Sequence, residues 1–460
     1  MVGDPRHGHS VGDAAVVQPA LPSRDGTPSR PRHQCVDGRG VRSAGRTRSP
    51  CVRTRGAALH RSSRHPADGL PSLPGHVHRV GFDPWDVQLN PSEPWTATDH
   101  DELREHLRRR FTDVCDPHTF PAYTFATIER PDHYTVISAF DHTLVDGYSI
   151  AIALGELRAI YEEFAGRDRA EMERAGLELH ESLGEPGSFL QYCRLEAESS
   201  PAETSDPRVQ AWAQFYERCG GTAPSFPLDL GVEAGHPAPQ GADVRTLLSA
   251  CETEAFERAC LAAGGSVYTG TLTAMTSALR DLTGLDELPL QYPLHTRRDP
   301  QWAGAIGWLT TSAPMVAHAT GDFDADLRAT HAEFRTGLTL GGVRMPQVVE
   351  ALGERYRRTR TDVFMVSYID YRKLPGTDQH DVLNAHHISN VTVADDAQFW
   401  ISRTTTGLAL RSRFPDTARA SESMSAFLDL LVRTMRDVCE RSEPVGSVVS
   451  AGAFAGAPIV

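Results

Sequence analysis

The spacing of hydrophobic and polar positions divides the chain into unlike parts. Residues 1–75 show almost no hydrophobic periodicity. Ordered sequence begins near "HVHRVGFDPWDVQLN". In "DHDELREHLRRRF", Leu103, Leu107 and Phe111 then recur at helical spacing behind Asp99 and Asp101, residues suited to an N-cap. "AYTFATIER" and "HYTVISAF" alternate as two strands around the turn residues Pro131 and Asp132. From Tyr148 the period becomes helical, with Ile150, Leu154, Leu157, Tyr161 and Phe164 on one face and Gly166 as the stop. "GSFLQYCRLEAESS" and "VQAWAQFYERCGG" predict further helices.

The Pro- and Gly-rich "TAPSFPLDLGVEAGHPAPQGA" carries no period and predicts a linker over 226–244. Beyond it, "YTGTLTAMTSALRDLTG" forms a helix face from Leu272, Met275, Leu279 and Leu282. Strands are expected in "ELPLQYPL", "AIGWLTTSAPMVA", "DVFMVSYIDY" and "NVTVADDAQFWISRTTTGLALRSRF". The last helix is expected near 419–439, with Leu428, Leu431, Met435 and Val438 inward. The domain reading is therefore an N-terminal lobe over 76–225, the linker, a C-terminal lobe over 245–440 and a flexible tail over 441–460.

Composition changes this picture mainly at the N-terminus. The 460 residues carry a net charge of −14, yet residues 1–80 hold 13 arginines against 5 acidic residues. The acidic remainder argues against a general nucleic-acid binder, which needs basic surface to displace counterions. Lys373 is the sole lysine, as expected of coding from a GC-rich genome. Residues 1–75, Arg/Pro-rich and poor in apolar positions, cannot bury enough surface to offset ordering. They read as a disordered tail, a transit peptide, or an aberrant segment from a shifted frame or start site. The 8 cysteines show neither CxxC spacing nor a dense framework, which leaves reduced thiols and a cytoplasmic location as the expectation. No apolar run approaches the ~20 residues of a transmembrane helix, and no signal-peptide core is visible.

The chemistry concentrates at "DHTLVDG", residues 141 to 147, between a strand and a helix. His142 leaves the strand towards any cleft at its end. Asp146 lies in the turn where a cation can hold it, and Gly147 suits a tight start to the helix. An imidazole accepts and returns a proton near neutral pH. A His at a strand tip is also a common structural feature, and the motif alone leaves both readings open.

"DHTLVDG" resembles the HHxxxDG signature of the condensation-domain superfamily. That group includes nonribosomal-peptide condensation domains, chloramphenicol acetyltransferase and the polyketide-associated acyltransferases of mycobacteria. "PLHTRRDPQWAGAIGWLTTSAPM" is similar to the superfamily's later arginine segment and IG-aromatic strand. "YTGTLTAMTSALRDLTG" and "TTTGLALRSRFPDT" resemble the flanking helix and the strand before the final helix. The likeness spans about residues 78 to 440 and leans, through "IGWLTTSAP", towards the polyketide-associated type.

The resemblance implies an α/β fold of two chloramphenicol-acetyltransferase-like lobes in a V-shaped pseudo-dimer, the motif lying in a tunnel between them. It implies an acyltransferase that moves an acyl group from a CoA or carrier-protein (phosphopantetheinyl) thioester to a hydroxyl acceptor in lipid, glycolipid or polyketide metabolism. No permanently bound cofactor and no metal are expected. His142 is implied as general base. Asp146 is implied to pair with Arg297, Arg298 being one register away, and Gly147 to serve the turn. Asp141 and Trp308 are assigned to the substrate channel. The partners implied are a small acceptor with a hydroxyl or amine and an acyl carrier protein, with the chain a monomer.

Two departures stand out. Asp141 occupies the position of the signature's first His. Residues 1–75 resemble none of the structure that superfamily members place there, which leaves the first lobe short of part of its sheet. Rival readings are a zinc site using His142, Asp146 and the histidines His380, His386 and His387, and a Ser–His pair using Ser149 or Ser138. Zinc needs three or four tetrahedral ligands, and no second ligand pair is spaced for it. Two alternatives from other classes are a catalytically silent acyl- or carrier-protein-binding homologue and a stand-alone amide-forming condensation protein.

Overall fold

The structure is a computed structural model. It describes residues 90–116, 122–131, 133–164, 186–200, 202–374 and 393–441, and outside them only the backbone of short strands within 14–21, 68–81 and 387–390. The rest of 1–75 and the tail beyond 441 lie outside the described residues, as do the side chains of His380, His386 and His387.

The first lobe opens with helix α1 (His100–Val114), where the Asp99 side chain accepts from the Glu102 N–H as N-cap. Strands β1 (Tyr123–Glu129) and β2 (Tyr134–Phe140) follow as an antiparallel pair, Tyr123 facing Phe140. β2 is buried along most of its length. Its second edge pairs antiparallel with Ala14–Val17, inside the segment expected to be disordered. A β2 edge left bare would present unpaired backbone N–H and C=O groups. The other face of Ala14–Val17 pairs with His387–Asn390. Helix α2 (Gly147–Phe164) runs from the end of β2 and buries Ile150, Leu154, Leu157 and Phe164. Helix α3 (Phe189–Glu198) packs Phe189 and Tyr192 against Trp302 and Leu309, and helix α4 (Pro207–Arg218) packs Val209, Trp212 and Tyr216 against Val316, Val343 and Val348.

The second lobe begins with β3 (Ala238–Ser249), whose first half takes up the last part of the expected linker. The reason is its partner: residues 240–249 pair along the whole of β9 (Gly407–Pro415), which outweighs the local Pro/Gly composition. Helices α5 (Ala250–Ala262) and α6 (Val267–Thr283) come next, each with a serine N-cap, and α6 stops at left-handed Gly284. β4 (Glu287–His295) and β5 (Thr310–His318) pair antiparallel from end to end. Helices α7 (Phe323–Leu340) and α8 (Met345–Leu352) precede β6 (Val366–Asp370). The short β7 (Val393–Ala394) and the strand β8 (Gln398–Thr404) give the sheet order β6-β8-β9-β3-β7, parallel only at β6/β8. A bridge from Gln291 to Met365 joins β4 to this sheet. The closing helix α9 (Ala418–Arg441) buries Leu428, Leu431, Met435 and Val438 against it. Phe226, Phe364, Phe399 and Phe427 meet at the centre of the core, with Phe226 5.2 to 5.6 Å from the other three rings. Stacked and edge contacts of this kind add to area burial.

The loop from 296 to 309 matters most for function. It joins β4 to β5, and the Thr296 N–H donates to the Leu309 carbonyl across its base at 2.8 Å. The sequence suggested a strand through Trp308; β5 in fact begins at Thr310, and the Leu309 N–H and Thr310 hydroxyl are turned towards Asp146.

Candidate active site

Asp146 ends the turn after β2 and opens α2: its carbonyl accepts from the Ile150 N–H, and its Oδ1 accepts from the Ser149 N–H at 2.8 Å. The carboxylate is almost fully buried, so the fold must supply partners. Arg297 donates from Nη1 to Oδ2 at 2.6 Å and from Nη2 to Oδ1 at 3.0 Å. The Leu309 N–H and the Thr310 hydroxyl donate to Oδ2 at 3.1 and 3.0 Å. Burial alone would raise the Asp146 pKa, but the charge and hydrogen bonds of Arg297, with those of Ser149, outweigh it and hold the carboxyl below the ordinary range. Arg298, one residue on, is exposed. Arg297 also donates to the Ala305 carbonyl at 3.1 Å, and its guanidinium lies 4.8 Å from the centre of the Tyr148 ring.

His142 is half-buried in the turn. Its Nδ1 lies 2.5 Å from the Val145 carbonyl oxygen. A carbonyl only accepts, so in the neutral ring Nδ1 carries the proton and Nε2 keeps its lone pair. The indole of Trp308 meets the imidazole edge to face, ring centres 4.8 Å apart at 71°. Trp308 is 42 % exposed, which removes plain core packing as the reason for its position. Asp141, expected in the channel, is fully buried instead. Its Oδ1 turns back to accept from the Thr143 N–H and hydroxyl at 2.8 and 2.5 Å, and its Oδ2 has no hydrogen-bond partner. Burial is the main reason that its pKa is raised.

Gly147 is the first residue of α2 and its φ is not positive. A Cβ there would come within 2.9 Å of Ile369 Cδ1, so the β6 strand of the second lobe lies directly against the motif. Sequence reasoning also missed Ser149 as a structural centre, Tyr148 beside Arg297, and Thr310. Ser149 was readable in part, since a hydroxyl three residues after an N-cap Asp is a helix-start pattern. Among the described residues, no group of three or more His, Cys, Asp or Glu is arranged to hold a metal. No helix among them is long and apolar enough to cross a membrane.

No family model matches the chain. It is 30% identical over 391 residues to the 2'-acyl-2-O-sulfo-trehalose (hydroxy)phthioceranyltransferase PapA1 of Mycobacterium tuberculosis, covering 82% of this chain and 71% of that protein. Its fold matches the solved PapA2 acyl transferase with a TM-score of 0.74 at 21% identity, covering 95% of this chain and 87% of that one. The starter condensation domain of rhizomide synthetase RzmA, solved with C8-CoA and Leu-SNAC, matches with a TM-score of 0.63 at 13% identity, covering 96% and 93%. Two lobes of chloramphenicol-acetyltransferase type, joined at an aspartate–arginine pair beside a histidine, define an acyltransferase of the condensation-domain superfamily. Within it, the chain belongs to the polyketide-associated acyltransferases, the PapA group.

Proposed function

We propose that this acyltransferase moves a fatty or polyketide acyl group from a thioester, CoA or carrier-bound, to a hydroxyl of a sugar acceptor. His142 carries the reading, because its Nδ1–H is committed to the Val145 carbonyl and Nε2 is left as the lone-pair nitrogen. In this account Nε2 takes the proton from the acceptor hydroxyl as that oxygen attacks the thioester carbonyl. The tetrahedral intermediate collapses with cleavage of the C–S bond, and the proton passes to the departing thiolate. Ester and free thiol are the products, and no acyl-enzyme forms. A positioned base of this kind contributes about 10²- to 10⁴-fold.

The arginine-clamped Asp146 supports the reading as a brace, since a fully paired buried carboxylate has no spare lone pair for proton transfer. Trp308 and Ile369 would form the walls on either side of the motif. The acceptor class follows from PapA1, whose name specifies an acylated sulfo-trehalose. Trehalose 2-sulfate and trehalose are therefore the acceptors to try, with long-chain acyl-CoA as donor. Incubation followed by mass spectrometry tests this: an acyl-sugar that mild alkali cleaves is expected. An amide-linked product from an amine acceptor, and none from sugars, would overturn it.

A further inference from the structure

Ser149 is fully buried, one helical step inside α2, and its hydroxyl is used completely. It has a single proton to donate, and both the Asp146 carboxylate at 2.8 Å and the Gly307 carbonyl at 2.9 Å stand in reach. It accepts from the Gly307 N–H at 3.0 Å and from Arg297 Nη2 at 2.8 Å. The Gly307 N–H is thus held by a side chain 158 residues away, while its carbonyl lies in reach of the same hydroxyl and accepts from the Asp146 N–H at 3.2 Å. From the other side the Phe189 ring presses on it, so closely that a Cβ at 307 would lie 2.3 Å from the ring.

The next residue is Trp308. Its ring is 42 % exposed, so the core does not fix it. What fixes it is the backbone on either side: Gly307 through Ser149 and the Asp146 N–H, and Leu309 through its N–H bond to Asp146. Trp308 in turn lies edge-on to His142. The Val145 carbonyl anchors one nitrogen of that imidazole, and the indole limits how the ring plane can turn about the anchor.

We propose that Ser149 is a positioning residue, whose hydroxyl fixes the Gly307 turn and so holds Trp308 against His142. Its effect on catalysis rests on the reading of His142 as base; its effect on geometry does not. Removing the hydroxyl strands the Gly307 N–H inside the protein, while Arg297 Nη2 keeps the Asp146 carboxylate and the Ala305 carbonyl for its two hydrogens, and the turn moves so that Gly307 finds a partner. A shift of this size at an aligned base lowers kcat on the order of 10- to 100-fold while KM stays within about 3-fold.

The test uses the fluorescence of Trp308, taken as the difference between the full chain and its Trp308→Phe variant, because the chain has 6 tryptophans. Contact with the His142 ring affects Trp308 emission, so the difference signal at one fixed pH is expected to change in His142→Asn. Ser149→Ala is expected to reproduce that change and to lose most of kcat per folded molecule; Ser149→Thr, which keeps the hydroxyl, is expected to restore both. If Ser149→Ala does not fold, Ser149→Cys is read in its place, since a thiol fills the site but bonds weakly. A folded Ala or Cys variant with the parent Trp308 emission and full kcat overturns the proposal, as does a loss that Thr fails to recover. If His142→Asn changes the Trp308 emission yet leaves turnover unchanged, the base assignment fails and the geometric claim stands.

Discussion

Arg297 grips Asp146 through both terminal nitrogens, at 2.6 and 3.0 Å, across 151 residues of chain. The pair joins the loop between β4 and β5 to the first turn of α2, and so ties one lobe to the other at the base. Cutting one partner leaves the other charge buried and alone. Arg297→Ala is expected to destabilise the protein by about 3–5 kcal/mol in denaturant unfolding. Arg297→Lys is expected to recover little of this, because an ammonium cannot span both carboxylate oxygens and also reach Ser149.

The same pair sets an acid limit. The Asp146 pKa is depressed in the folded protein, so its contribution is present above the ordinary carboxylate value of about 4 and is lost as pH falls below it. The Asp146 share of the stability, read as the difference from Asp146→Asn, should hold from neutral pH down to about 5 and fall steeply below about 4. In Asp146→Asn the melting temperature starts lower and its acid fall is shallower.

Asp396 has the opposite sign. Burial pushes its pKa up to about 7, only partly offset by the Ala397 and Phe226 N–H groups and the Arg360 charge. The folded state then holds a proton that the unfolded chain has released between about pH 4 and 7, so stability falls as pH rises through that window. Asp396→Asn is expected to stabilise the protein at pH 8 and to show no gain near pH 4. The largest slope this group can contribute is about 1.4 kcal/mol per pH unit. Unfolding of both proteins across this range checks it.

Gly307 and Gly304 make a paired test of the loop. A Cβ at Gly307 meets the Phe189 ring at 2.3 Å, whereas one at Gly304 meets nothing within 4 Å. Gly307→Ala should cost about 1–3 kcal/mol and disturb Trp308, while Gly304→Ala should stay within about 0.5 kcal/mol of the parent. Equal effects at the two positions would show that the turn is not tightly packed.

Much of this site was legible in the sequence, for identifiable reasons. "DHTLVDG" between a strand and a helix announced His142 and Asp146, and "HTRRDP" announced an arginine. The choice between Arg297 and Arg298 could not be read from adjacent identical residues; the geometry past the end of β4 turns Arg297 inward and leaves Arg298 exposed. Gly147 was marked for its backbone freedom, but its φ is not positive, and its neighbour across the chain is the Ile369 side chain. Ser149 was weighed in a Ser–His pair and set aside; its partners Arg297 and Gly307 lie 148 and 158 residues on, where no local pattern marks them. Asp141 was assigned to the channel by its place in the motif, while the local turn onto Thr143 buries it. In the fold, helices with a strong period were legible. β3 was hidden because its pairing with β9, over 150 residues on, decides it.

The most direct measurement of the central claim is thiol release from an acyl-CoA, with and without a sugar acceptor, for the full chain and for His142→Ala. The account predicts release that requires the acceptor, and a fall of about 10²- to 10⁴-fold in His142→Ala at unchanged melting temperature. Acceptor-dependent release that persists at the parent rate in His142→Ala would contradict it.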